Sequence, residues 1–231
     1  MFSNKVVLVT GGAQGIGEEI AKQFLDQKAK VIVFDIKKPN YNVDYFKVDI
    51  SNEKEIIGAI ENISSLDILV NNAGIYFQNS VEQTTAEELD KILSVNFKGT
   101  YFMCKHCLPL LRKSKGNIVN ISSGLGIKPE AESPAYCSTK SAIIMLTKCL
   151  AKEQAKLGVR VNSVLPGPID TPLLRTTFKS QKEIAEYAKT NPMGKIGTVK
   201  DVANVVLFLA SEKAGYVTGG TYTVDGGEYL G

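Results

Sequence analysis

The chain has 231 residues, 44% hydrophobic and 22% charged, with 27 basic and 24 acidic side chains giving a net charge of +3. That balance suits one soluble α/β domain with a substantial core, and no block of like charge marks a nucleic-acid or membrane-surface footprint. The longest apolar runs, such as residues 205–210, are too short to span a bilayer. VVLV followed at once by TGGAQGIG is no signal peptide, so a cytoplasmic protein is expected.

The first strand pattern, Val6–Val9, runs into Thr10-Gly11-Gly12-Ala13-Gln14-Gly15-Ile16-Gly17 and then a helix over 16–27. Glycines allow a tight turn and close backbone approach, and a helix start offers unpaired N–H donors and a positive dipole end. The turn is neither the standard G-x-G-x-x-G nor a P-loop. It reads as a nucleotide cradle, against the plainer reading of a structural strand–helix turn. The second strand, Lys30–Phe34, ends in Asp35, eighteen residues beyond Gly17. A carboxylate there accepts hydrogen bonds from an adenosine ribose and repels a 2′-phosphate, which favours NAD over NADP. The competing readings are a simple strand-end cap and a phosphate site completed by Lys37 and Lys38.

Only ten residues, DIKKPNYNVD, separate Phe34 from Tyr45, so a loop or single turn is expected where a crossover helix barely fits. Strand patterns follow at Tyr45–Val48, Leu66–Val70, Asn117–Ile121, Arg160–Val164 and Thr221–Val224, with helix patterns at 52–63, 85–113, 134–157 and 199–210. Near-continuous apolar strands such as VIVF and DILV imply burial on both faces, as in a parallel sheet covered by helices. The expected architecture is a single-domain α/β fold over 1–231. It is a doubly wound Rossmann-type, mainly parallel seven-stranded sheet with helices on both faces.

Within SPAYCSTKSA (133–142), Ser133 reads as a helix N-cap and Pro134 as the first helical residue. Tyr136 and Lys140 are then i and i+4 on one face. A cation about 6 Å from a phenol, at an effective dielectric near 20, favours phenolate by about 3 kcal/mol, or about 2 pKa units. On that arithmetic Tyr136 nears working pH and suits general acid–base catalysis; an ordinary exposed pair is the plainer reading. Ser123 follows the fifth strand, at the carboxyl edge where open α/β sheets bind ligands. Asn96 sits on an apolar stripe with Leu89, Ile92 and Leu93, and a buried amide there needs partners; a polar clamp between elements is one reading. CKHC, holding Cys104, His106 and Cys107, matches neither haem attachment nor a paired metal motif. No metal is expected, and Cys104, Cys107, Cys137 and Cys149 read as packing residues.

Ile143 to Leu146 are consecutive apolar residues, so that helix is expected to be buried on more than one side, with a second subunit as cover. Residues 171–197 read as a mobile substrate lid whose order depends on cofactor. Little chain follows the last strand, so little extra surface is expected to shape specificity.

Seven motifs, TGGAQGIG (10–17), VDI (48–50), NNAG (71–74), the VN of SVNFKG (94–99), NISS (120–123), YCSTK (136–140) and PGPIDT (166–171), stand in order along the chain. In this the chain resembles the classical short-chain dehydrogenase/reductase family over essentially its whole length. The resemblance implies a cofactor half over about 1–115 and a catalytic and substrate half over about 116–231. It implies that Gly11, Gln14, Gly15, Ile16 and Gly17 line a pyrophosphate, Asp35 a ribose, and Asp49 with Ile50 an adenine. Asn72, Ala73 and Gly74 follow the cofactor, and Pro166, Gly167, Ile169 and Thr171 hold its nicotinamide end. Asn96, Ser123, Tyr136 and Lys140 match the catalytic tetrad, with Asn96 anchoring a water in a proton relay from Lys140. Lys140 also binds the nicotinamide ribose, and Ser123 and Tyr136 meet the substrate. The implied activity interconverts a small-molecule secondary alcohol and a ketone with NAD, in a homo-oligomer, by resemblance a tetramer. The alternatives are a 3-oxoacyl thioester reductase using NADPH and a catalytically silent nucleotide-binding sensor.

Overall fold

The computed structural model describes residues 1–178 and 180–229. Seven strands form one sheet: β1 Val6–Thr10, β2 Lys30–Asp35, β3 Asp44–Lys47, β4 Ile68–Asn71, β5 Asn117–Ile121, β6 Arg160–Pro166 and β7 Thr221–Val224. Every neighbouring pair is parallel, in the order β3-β2-β1-β4-β5-β6-β7. The expected doubly wound sheet is present, and it is wholly parallel. Because strand side chains alternate between faces, the apolar strands feed two cores. Val7, Val9, Val31, Val33 and Val70 enter one, and Leu8, Ile32, Phe34, Leu69 and Ile118 enter the other.

Among the described residues eight α-helices connect the strands: α1 Gly15–Asp26, α2 Glu53–Ile60, α3 Ala86–Ile92, α4 Thr100–Ser114, α5 Pro134–Gln154, α6 Pro172–Arg175, α7 Gln181–Thr190 and α8 Val199–Ala210. α1 places Ile16, Ile20 and Phe24 on one stripe, and Ile20 and Phe24 pack with Val202 and Val206 of α8 on the first core. Ile56 of α2, Met103 and Leu111 of α4, and Leu150 of α5 cover the second. Each such side chain contributes roughly 1.5–3 kcal/mol by burial, so the sheet is clamped from both faces.

Several expectations change in detail. The helix expected over 85–113 is three pieces: α3, a π-helical turn over Leu93–Gly99, and α4. A π turn adds a residue to the helical repeat, and it carries Asn96 to a buried position. Between β2 and β3, residues 36–43 form no helix, as the short spacing implies. The 171–197 segment contains two helices, α6 and α7, that its polar composition did not announce. Cys104 and Cys107 are buried, but Cys149 is exposed rather than packed. In the 143–146 run, Ile143 and Ile144 are buried while Met145 is 59% exposed. No helix among the described residues is long and apolar enough to cross a membrane.

The order of strands reverses direction between β1 and β4, so the connections that leave their carboxyl ends run to opposite sides. Such a switch point opens a crevice at the edge of the sheet. The glycine-rich turn, the segment after β4, Ser123 after β5 and Pro166 at the end of β6 all emerge along that edge.

Candidate active site

The crevice begins with the turn from β1 to α1. Gly11 has φ +65°, and a Cβ there would stand 2.7 Å from the Ala73 Cα. Any larger residue would push apart the β1 and β4 ends. Gly17 is pressed equally closely against the Gly11 carbonyl and the Asn72 side chain. Gly15 has φ +61°, and a Cβ there would meet Pro172 and Thr171 only at ordinary contact distance, 3.7 Å, so its glycine answers to conformation rather than crowding. Gln14, at the N-cap of α1, makes no side-chain cap bond, so no side chain spends itself on the N–H groups of the first turn.

Asp35, at the end of β2, accepts from the Ala13 N–H at 2.9 Å through Oδ2 and from the Lys37 N–H at 2.9 Å through Oδ1. A carboxylate has about four lone-pair positions, so each oxygen keeps an acceptor direction beyond these bonds. Tyr41, from the loop after β2, donates to the Gly12 carbonyl at 2.7 Å and braces the glycine turn from outside. Asp49 accepts from the Ser51 N–H and hydroxyl at 2.9 and 2.7 Å. The Ile50 side chain is buried in the second core, against Gly99 at the head of α4.

After β4, Asn72 turns inward. Its amide donates to the carbonyls of Thr10 and Gly11 at 3.1 and 2.9 Å, and the N–H groups of Asn72 and Ala73 donate to the Thr10 hydroxyl. The segment thus ties the mouth of the crevice together. Asn96, on the π turn, lies behind it. Its Oδ1 accepts from the Ile75 N–H at 2.8 Å, and its Nδ2 donates to the Ile75 carbonyl at 2.9 Å and to Thr139 Oγ1 at 3.2 Å. Asn96 is therefore the polar clamp between α5 and the strand-β4 segment. A Cβ on Gly74 would sit 3.3 Å from Asn96 Oδ1 and 3.5 Å from Lys140 Nζ, so the glycine keeps open the space these two groups share.

Tyr136 and Lys140 do share a face of α5. The Lys140 Nζ stands 5.5 Å from the Tyr136 ring centroid and donates to the Ile121 carbonyl at 3.2 Å. Ser122 donates to the Lys140 carbonyl at 2.7 Å, fixing that turn of α5 against the β5 end. Lys140 is only 5% exposed and Tyr136 9%. Burial pushes the Tyr136 phenol up to about 12, a hydrogen bond with Ser123 pulls the other way, and Tyr76 and Cys137 add to the rise. Burial also brings Lys140 down to about 8. This corrects the expectation that the ammonium lowers Tyr136 toward neutrality. The reason is that the two groups are desolvated together, and the cation faces the ring while bonding to a carbonyl.

A cleft of about 450 Å³ gathers about half of the sequence-derived candidates. Ser123, Tyr136 and Lys140 line it, together with Ile16, Asn72 and Gly74 from the cofactor side. Pro166, Gly167, Ile169 and Thr171 complete its floor after β6. Gly11, Gln14, Gly15, Gly17, Asp35, Asp49, Ile50, Ala73 and Asn96 are not among the residues that line it.

Sequence reasoning missed other lining residues. Tyr76 meets Tyr136 edge-on, with centroids 4.9 Å apart and planes at 88°. Lys128, Glu228 and Tyr229 reach the far end. The Tyr229 ring lies directly on Gly124, where no side chain fits, and Lys128 Nζ stands 5.8 Å from that ring. The short C-terminal stretch does shape the site, contrary to expectation. Its signal was the Asp225-Gly226-Gly227 turn, with φ +64° and +86° at the two glycines. Glu228 in turn accepts from Tyr187 Oη at 3.1 Å and Asn191 Nδ2 at 2.9 Å, both on the 171–197 segment. The ends of that segment are pinned where Gly197 donates to the Pro168 carbonyl and Asp170 donates to the Gly197 carbonyl, each at 2.9 Å.

A family model described as enoyl-(acyl carrier protein) reductase matches residues 11–228. The L-fucose dehydrogenase of Oryctolagus cuniculus is 36% identical over 100% of this chain and 87% of its own length. A 3-oxoacyl-[acyl-carrier-protein] reductase of Thermotoga maritima is 34% identical over 98% of each. The ligand-free structure of Thermoplasma acidophilum aldohexose dehydrogenase superposes with a TM-score of 0.96 at 36% identity, over 99% of this chain and 95% of that one. Each of these relatives is named a dehydrogenase or a reductase, and the likeness runs over essentially the whole chain. The chain is a member of the short-chain dehydrogenase/reductase family, an oxidoreductase of alcohols and ketones.

Proposed function

We propose that this protein is an NAD-dependent dehydrogenase of secondary alcohols, with hydroxylated rings such as sugars as the substrate class and Tyr136 as the acid/base. The observation that carries the reading is the meeting of Ser123, Tyr136 and Lys140 in one cleft, beside an uncapped helix start and a glycine turn. The residues fit a nicotinamide dinucleotide. A Cβ at Gly11 or Gly17 would fill the turn's close approaches, and the free N–H groups at the head of α1 suit a pyrophosphate. Asp35 keeps acceptor directions for two ribose hydroxyls, and its charge opposes a 2′-phosphate. Gly11, Gln14, Gly15, Ile16 and Gly17 hold the phosphates in this reading. Asp49 and the Ile50 backbone border the adenine, while Ala73, Gly74 and the Pro166–Thr171 stretch border the nicotinamide end.

Bound NAD supplies the hydride acceptor, and in reduced form the donor. Ser123 donates a hydrogen bond to the substrate oxygen, and Tyr136 exchanges the hydroxyl proton with it. With its pKa held high by burial, Tyr136 is protonated at neutral pH and suited to protonating a ketone oxygen. As a base for alcohol oxidation it gains with rising pH. Lys140 keeps a positive charge beside the ring below about pH 8, and Asn96 holds the wall through which a water can reach it. The dehydrogenases of L-fucose and aldohexose among the relatives support a ring alcohol.

The thioester reading has support from the acyl-carrier-protein reductase relative, but Asp35 disfavours its NADPH. Fluorescence titration with NADH and NADPH, followed by L-fucose, D-glucose, cyclohexane-1,2-diol and an acetoacetyl thioester, tests the proposal. NADH is expected to bind at least about tenfold tighter, the equivalent of about 1.4 kcal/mol. Preference for NADPH with turnover only of the thioester overturns it.

A further inference from the structure

Tyr76 has no place in the motifs that mark this family, yet two contacts fasten it to the reactive helix and a third holds its neighbour. Its ring meets Tyr136 edge-on at 4.9 Å. The preceding residue, Ile75, is gripped at both its N–H and its carbonyl by the Asn96 amide. The Tyr76 hydroxyl pairs with Ser133 Oγ at 3.0 Å. This last contact is informative because Ser133 is the N-cap residue of α5. A serine there ordinarily accepts from a first-turn N–H. Here it makes no side-chain cap bond, is 1% exposed and bonds Tyr76 instead. The start of the helix that carries Tyr136 is held by a phenol from across the crevice.

Resting on the acid/base reading of Tyr136, we propose that Tyr76 is a positioning residue: its ring fixes the orientation of the Tyr136 phenol and screens it from water, and its hydroxyl anchors the head of α5 through Ser133. The other titratable groups around Tyr136 are Cys137 and Lys140 on its own helix and Tyr229 of the C-terminal turn. Lys128, Glu130, Tyr187 and Glu228 stand along the cleft walls. Among the described residues Tyr76 presents an aromatic ring to Tyr136, and Lys140 Nζ stands 5.5 Å from the Tyr136 ring centroid.

The test compares Tyr76→Leu, Tyr76→Phe, Ser133→Ala and the double variant Tyr76→Phe/Ser133→Ala with the parent protein. Two readouts are used: kcat and KM against pH for the fastest alcohol of the panel above, and phenolate absorbance of the cofactor-free protein with Tyr136→Phe as reference. Tyr76→Leu is expected to lower kcat about 10–100-fold, since small misplacements of reacting groups cost that much. It also moves the rising limb of kcat and the Tyr136 phenolate signal to lower pH, because the phenol gains water. Tyr76→Phe and Ser133→Ala each lower kcat about threefold, and the double variant loses no more than either, as expected for partners in one contact.

A Tyr76→Leu protein with parental kcat and an unmoved limb overturns the proposal. So does a rise in KM alone, which makes Tyr76 a substrate wall and nothing more. If Tyr76→Leu does not fold, the double-variant cycle decides: additive losses, or none, overturn the proposal. Full turnover by Tyr136→Phe instead overturns the acid/base reading itself, and the absorbance shift still reports whether Tyr76 shields that phenol.

Discussion

Lys140 holds an ammonium where water barely reaches, and that placement costs stability. Its pKa is lowered by burial from 10.5 to about 8, so the folded protein binds this proton more weakly than the unfolded chain does. Stability therefore rises with pH between about 8 and 10.5, and the full cost, about 3 kcal/mol, is present below pH 8. Replacing Lys140 with Met removes the buried charge. Thermal melts at pH 7 are expected to show a gain of about 5–10 °C for a chain of this size, shrinking toward pH 10, with turnover abolished. No gain at pH 7 would mean that the amine is solvated in solution. The Tyr136–Lys140 pairing was legible in YCSTK because i, i+4 spacing dictates a shared face. Its electrostatics were not legible, because desolvation depends on what closes over the pair, and that comes from Tyr76, Ile121 and Tyr229, distant in sequence.

Elements were readable where pattern and burial coincide. Six of the seven strands are rich in apolar or β-branched residues, β3 (DYFK) being the exception, and each of the seven lies within two residues of its expected bounds. The π turn over Leu93–Gly99 was not readable, since a shift of hydrogen-bond register leaves the composition of LSVNFKG unchanged. α7 was missed because its apolar stripe is short, Ile184 with Tyr187 and Ala188, and only Ile184 of its ten residues is buried. The same fact makes it a weakly held element. Two of its polar ties, from Tyr187 and from Asn191 just beyond its end, meet on Glu228, beside the Phe178–Tyr187 ring contact. Glu228→Gln replaces one acceptor oxygen by an amide, and bonds to a charged group contribute about 1.5–3 kcal/mol. Hydrogen exchange over residues 181–190 is expected to quicken about tenfold, with NADH affinity unchanged. Exchange at the parental rate would show that α7 is held by something other than this carboxylate.

On the scale of the whole molecule, the proposed function divides labour along the sheet: in it the β1 side would hold the dinucleotide, and β5, α5 and β6 would carry the reacting groups. The helical faces beyond the site carry exposed apolar residues, Tyr101 on α4, Met145 on α5 and Phe208 on α8. We expect these faces to be covered by copies of the chain. Light scattering at micromolar concentration is expected to give four times the 25.1 kDa chain mass, and a monomeric mass would contradict it.

The division of labour also means that binding and chemistry are separable. Turnover and NADH binding measured side by side on Tyr136→Phe test this most directly. Turnover is expected to fall by at least about 10²–10⁴-fold, with the NADH dissociation constant within threefold of the parent. A variant that turns over alcohol at the parental rate would contradict the account.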